Sequence, residues 1–124
     1  MWYWLPVLVY LTVIFSLSAQ PNLKPPLRFK NSDKLYHLIE YGGLGLLLGR
    51  ALRAGLGARG ALAAGAGTLV LTSLVGAADE IFQRTIPGRE SSVLDWSADT
   101  AGAALAIGLL LWLARDARRE ARWL

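Results

Sequence analysis

The residues able to do chemistry fall into three short runs: Asp33-Lys34-x-x-His37-x-x-Glu40-Tyr41, then Asp79-Glu80-x-x-Gln83-Arg84-x-x-Pro87-Gly88-Arg89, then Asp95-x-x-x-Asp99. Carboxylates and imidazole move protons or hold a cation. Arg grips a phosphate or carboxylate through a bidentate fork, and Lys does so as a point charge. At about 100° per residue, a helix puts Asp33, Lys34, Glu40 and Tyr41 within roughly 60° of His37. The same spacing places Asp79 and Gln83 on one face above Thr68 and Thr72, and Asp95 and Asp99 above Gly102 and Ala106. Pro87-Gly88 can bend the chain so that Arg84 and Arg89 return over the cluster.

These runs admit two kinds of site. In an enzyme, His37, Asp79, Glu80 and Asp95 are the acid–base or cation-holding groups. In a binding protein, Asp33, Lys34, Tyr41, Gln83, Arg84, Arg89 and Asp99 line the ligand cleft. Each has a plainer alternative: His37 as an interfacial hydrogen-bonding residue, and Arg89 paired with Asp95 or Asp79 to fasten a loop. The chain has a single histidine, so a His-rich metal site is excluded. One His among carboxylates is a weak signature for a divalent cation. With no cysteine there is no thiolate chemistry and no disulfide, and Ser91, Ser92 and Ser97 sit in no recognised nucleophile motif.

The positioning elements are apolar. The chain has 124 residues, 54% of them hydrophobic and 18% charged, with a mean hydropathy of +0.39. That is a membrane composition. The net charge of +4 does not point to nucleic acid, because the basic residues flank apolar windows and form no stripe on a soluble face. Windows over about 2–19, 35–52, 61–78 and 95–114 predict four transmembrane helices, an all-α bundle in a single domain, 1–124. Trp2, Tyr3 and Trp4 suit the headgroup level at the first span. A cleaved signal peptide ending near Ala19 is the rival reading, disfavoured because no Lys or Arg precedes the window and Leu17 suits a cleavage site poorly.

Pro21, Pro25 and Pro26 predict a surface loop over Gln20 to Asn31, after which Ser32 or Asp33 is expected to cap the second helix. Gly42, Gly45 and Gly49 share a face on which a neighbouring helix can come close. The stretch from Asp79 to Leu94 reads as a polar connection, with the fourth helix starting near Ser92 or Asp95. Four spans put Arg50, Arg53, Arg59, Arg115, Arg118, Arg119 and Arg122 on one side, and Lys24, Arg28, Lys30, Lys34, Arg84 and Arg89 on the other. That difference is small, but most of the acids (Asp33, Glu40, Asp79, Glu80, Glu90, Asp95, Asp99) share the second side. The cations there are expected to serve pairing or binding, which places both termini in the cytoplasm.

The pattern Asp33-Lys34-x-x-His37-x-x-x-Tyr41, Asp79-Glu80-x-x-Gln83-x-x-x-Pro87-Gly88-Arg89 and Asp95-x-x-x-x-x-x-Gly102 resembles that of the VanZ-like family. These are small bacterial membrane proteins named for a teicoplanin-resistance accessory protein. Ser18-Ala19-Gln20-Pro21 is similar to that family's exit from its first span. Asp99 departs from the pattern, since the family usually carries Asn there. The resemblance implies four helices in the bacterial cytoplasmic membrane and a role in the envelope. From this follow three expectations. The first is binding of an anionic envelope ligand, lipid-linked or glycopeptide, in an outward-facing polar cleft among membrane lipids. The second is a membrane enzyme acting on a phosphorylated lipid or cell-wall precursor. The third is a structural bundle whose polar network only fixes helix register.

Overall fold

The computed structural model describes residues 2–21 and 28–121. Lys24, Pro25, Pro26 and Arg122 lie outside them. The described residues form four α-helices and no strand: α1, Trp4–Ser18; α2, Ser32–Leu56; α3, Ala61–Gln83; and α4, Val93–Ala121, with a 3₁₀ turn at Ala58–Gly60 between α2 and α3. The helices run alternately up and down. Tyr3, ahead of α1, therefore stands against Arg50 near the end of α2, and Ser18, at the end of α1, meets Gln83 at the end of α3.

Helix α2 is the centre and packs against each of the other three. Its buried stripe runs His37, Tyr41, Leu44, Gly45, Leu48, Gly49, the recurrence expected of one face of a 3.6-residue helix. The three glycines do what their spacing predicts. A methyl group added at Gly45 would meet the Ala106 methyl at 3.0 Å and the Ala103 Cα at 3.2 Å, and one at Gly49 would meet Leu110. On the facing helix, Gly102 lies directly against the backbone of Leu38 and Gly42. Without a side chain at either position, α2 and α4 approach along small residues, the usual way membrane helices come together.

Several expected boundaries differ from those found, and α2 and α4 run on past their apolar windows to Leu56 and Ala121. Helix α2 is capped by neither Ser32 nor Asp33. It begins after Asn31, which takes a left-handed conformation (φ 63°) and makes no side-chain cap. Helix α3 continues through Asp79 and Glu80 to Gln83, because those polar groups find partners inside the bundle and the backbone has no reason to break. The chain turns only beyond it, where Gly88 has φ 79° and the Arg89 amide donates to the Ile86 carbonyl. Helix α4 starts where expected, with the Ser92 hydroxyl accepting from the Asp95 amide at 3.0 Å, a side-chain N-cap.

Helices α3 and α4 are long and apolar enough to cross a membrane, and only 22% of each apolar window is buried. Their apolar side chains therefore face outward: Leu69, Val70, Leu71 and Leu74 on α3, and Leu105, Leu109, Leu111 and Trp112 on α4, are exposed. Such a belt exceeds what water-soluble monomers usually display. Helix α1 is apolar but has 15 residues, a rise of about 22 Å against roughly 30 Å of hydrocarbon.

Candidate functional site

Three helix ends bring the polar runs together. The first turns of α2 contribute Lys34, His37 and Tyr41; the last turns of α3 contribute Asp79, Glu80 and Gln83; the start of α4 contributes Asp95 and Asp99. His37, Asp79, Glu80, Gln83, Asp95 and Asp99 are all buried. Burial of ionisable groups is costly unless they are paired or bound to something, so the contacts among them matter.

His37 is the hub. Its Nδ1 lies 2.7 Å from Asp99 Oδ1 and 3.8 Å from Glu80 Oε1. Its Nε2 lies 3.9 Å from Asp95 Oδ2. The other oxygen of Asp95 is 3.6 Å from the Lys34 ammonium, which also bonds Asp33 at 3.2 Å. Glu80 is held by its second oxygen, Oε2, which accepts from the Ser92 amide at 3.0 Å. Gly76 makes room for Asp99, since a methyl group there would come within 2.8 Å of Asp99 Oδ2. Lys34 sits one residue ahead of the apolar window that opens at Leu35. The hydrogen bond that its ammonium donates to Asp33 holds the group above the ordinary lysine value, so it is charged at neutral pH.

A second network adjoins the first. The Tyr41 hydroxyl donates to Asp79 Oδ2 at 2.9 Å, and the Gln83 amide donates to Ser18 at 3.2 Å and to the same Asp79 oxygen at 3.4 Å. The Tyr41 ring stacks beside His37, with centroids 6.3 Å apart and planes inclined by 10°. Helix α1 is fixed to the same end by Ser18 and by Tyr10, whose hydroxyl donates to the Glu40 carbonyl at 2.7 Å.

The expected residues do not all join the cluster. Asp33 points outward to Lys34, with 58% of its side chain exposed. It is Asp99 that orients His37, not Asp33 one turn before it. Both carboxylates lie on suitable faces, but Asp33 is on the first turn, where water solvates it. Arg84 is exposed and donates from Nε to Ser91 Oγ at 3.2 Å, which fastens the loop. Arg89 is half-buried and, among the described residues, makes no ion pair with Asp95 or Asp79. Ser18 and Ser92 are partners that the sequence did not single out for the site. The only sign of Ser92 was its place as a helix start.

Chemically the cluster is too acidic to be self-sufficient. His37 and Lys34 face Asp95, Asp99, Glu80 and the neighbouring Asp79. Four buried carboxylate oxygens, Asp79 Oδ1, Glu80 Oε1, Asp95 Oδ1 and Asp99 Oδ2, accept no hydrogen bond among the described residues; Lys34 stands 3.6 Å from Asp95 Oδ1 and the His37 imidazole 3.8 Å from Glu80 Oε1. One donor atom each from His37, Glu80 and Asp99 lies within 4.8 Å of the others. Donors at about 2.0–2.2 Å from one ion stand roughly 3–3.5 Å apart, and the separations of 2.7 and 3.8 Å about His37 Nδ1 bracket that range. Ligation through Nδ1 would put the ring hydrogen on Nε2, toward Asp95. Asp95 Oδ2 lies 3.9 Å from Nε2, beyond hydrogen-bond distance, so its support of the ring is electrostatic.

Comparison with curated proteins gives no match, and neither does comparison with solved structures. The VanZ/LLP1 family model, in contrast, matches residues 2–114, a range that includes α1, α2, α3, most of α4 and every residue of the polar cluster. With its helical, membrane-like surface, the chain belongs to the VanZ/LLP1 family.

Proposed function

We propose that this protein spans the bacterial cytoplasmic membrane four times and binds an anionic envelope ligand, lipid-linked or glycopeptide, through a divalent cation held by His37, Glu80 and Asp99. The observation that carries the reading is the convergence of those donors around buried carboxylate oxygens that accept no hydrogen bond. A bare anion would be repelled by the cluster, whereas a cation would neutralise it and offer open coordination positions to a phosphate or carboxylate. Lys34 and Arg89 then supply charge at the rim. A mixed nitrogen and oxygen donor set favours an ion such as Mn²⁺ or Zn²⁺ over Ca²⁺.

The four-span topology is supported by the place of α2. Its polar residues lower its hydropathy, yet His37 and Tyr41 face the bundle interior, where ionisable groups of membrane proteins are normally found. Both termini are placed in the cytoplasm and the acidic end outside. A single cysteine at Ser91, in a chain that has none, should react with an impermeant maleimide in intact cells. Labelling only after lysis would reverse the orientation.

The cation is tested by titrating metal-stripped protein in lipid nanodiscs with Mn²⁺ or Zn²⁺. Wild type should bind one equivalent, and Glu80→Gln and Asp99→Asn should each weaken binding more than tenfold. Equal binding by the variants and wild type would sink the proposed site. The same preparation, offered phospholipid and cell-wall precursors, should retain ligand without altering it. Release of product that disappears in His37→Ala would instead make the protein a metal-dependent enzyme.

A further inference from the structure

At the end of the bundle opposite the acids, α2, α3 and α4 leave a cavity of about 370 Å³, within the range of about 300–1,000 Å³ typical of ligand sites. Its wall is apolar along Ala61, Gly65, Ile107 and Leu111, and its mouth carries Arg50, Arg53 and Arg118. Along α3 it runs from Ala61 to Thr68, seven residues or roughly 10 Å of helix. It is therefore a slot lying along the bundle axis.

The three arginines are unlike the cations of the other end. Among the described residues none makes an ion pair, and every ion pair found there lies among the acids around His37 and Lys34. Arg50 rests over the Tyr3 ring, 5.0 Å from its centroid, a cation–π contact that holds the guanidinium at the level of the aromatic residues before α1. Arg118 uses Nε on the Ala114 carbonyl of its own helix at 3.1 Å, which leaves its terminal nitrogens available. Three like charges around one mouth call for an anion.

We propose that this slot is a second binding site, for an anionic glycerophospholipid whose phosphate meets Arg50, Arg53 and Arg118 while the upper part of one acyl chain lies along Gly65 and Ile107. Charge complementarity selects the headgroup, since basic pockets between membrane helices on the cytoplasmic side are suited to anionic lipids. The apolar wall selects a lipid over a soluble anion, which would satisfy the arginines and leave the slot unfilled. Gly65 keeps the passage open: a methyl group there meets Ile107 at an ordinary 3.5 Å, and only a longer side chain would fill the space. The proposal requires the bundle to lie in a membrane but is independent of the cation at the other end.

The test uses full-length protein, delipidated in detergent and examined by native mass spectrometry with added phosphatidylglycerol or phosphatidylcholine. Wild type should hold one phosphatidylglycerol at least tenfold more tightly than phosphatidylcholine. Replacing Arg50, Arg53 and Arg118 together by Gln should abolish that preference. Gly65→Phe, which keeps all three arginines, should lose both lipids. Lys30→Gln, at the other end, should behave as wild type. If the triple variant does not fold, Arg53→Gln alone is read, with at least a threefold loss of preference expected and an unchanged preference counting against the site. Phosphatidylglycerol held as tightly by Gly65→Phe as by wild type would reduce the site to surface attraction and overturn the slot. Complete displacement by millimolar inorganic phosphate would overturn the lipid in favour of a free anion. Dimers that persist without lipid and vanish in Gly65→Phe would assign the face to a second copy of the chain.

Discussion

The two ends of the bundle use charge in opposite ways. Where α2 begins, His37, Tyr41 and the carboxylates of Asp79, Asp95 and Asp99 are buried, Lys34 is partly exposed at their edge, and they meet in pairs: His37 with Asp99, Lys34 with Asp95, Tyr41 with Asp79. At the other end, Arg50, Arg53 and Arg118 stand at the edge of an apolar slot with no carboxylate paired to them among the described residues. Charges of the first kind are part of the fold, because removing one strands its partner in a poorly solvated place. Charges of the second kind are dispensable to the fold and free to meet something outside it. Stability measurements should therefore separate the ends even before any ligand is known.

The largest effect is expected at the hub. His37→Ala leaves Asp99, Glu80 and Asp95 facing one another without the imidazole and should lower stability by about 3–5 kcal/mol, read as a shift in the denaturation midpoint in detergent. A loss below about 1 kcal/mol would show that the acidic end is wet and loosely packed, and the contrast would collapse. Tyr41→Phe is smaller in scale. It takes from Asp79 its closest donor and leaves the weaker contact from Gln83, so a cost of about 1–3 kcal/mol is expected. Measuring it together with Gln83→Leu, singly and in combination, would show whether the two donors act as one network. The smallest effect is expected at the basic end, where Arg53→Gln should change stability by less than about 0.5 kcal/mol while reducing selection of anionic lipid. A destabilisation as large as that of Tyr41→Phe would mean that the arginine is built into the fold after all.

The reach of the sequence differs between these ends. The periodicity of Thr68, Thr72, Asp79 and Gln83 put them on one face, and all four are buried there. Gly42, Gly45 and Gly49 of α2 announced a close helix neighbour, and α4 is that neighbour. Hydropathy was less informative for α2. It counts every polar residue against a span without knowing that His37 and Tyr41 are shielded by the other helices.

By itself the sequence determined which residues share a helical face, which end of the bundle each polar run occupies, and, through the spacing of its motifs, the family. These follow from the fixed turn and rise of a helix, which are local properties. Only the tertiary structure decided the partners. That Asp99 meets His37 while Asp33 turns to Lys34, that Arg84 bonds Ser91 and stays outside the cluster, and that Ser92 holds Glu80 all depend on how far α2, α3 and α4 slide along and rotate about one another. Those offsets are set where Gly102 seats against Leu38 and Gly42, and Gly45 against Ala103 and Ala106. The basic slot is legible only at that level too, because Arg118 comes to Arg50 and Arg53 from a helix dozens of residues away in sequence and the apolar wall is a space left between helices.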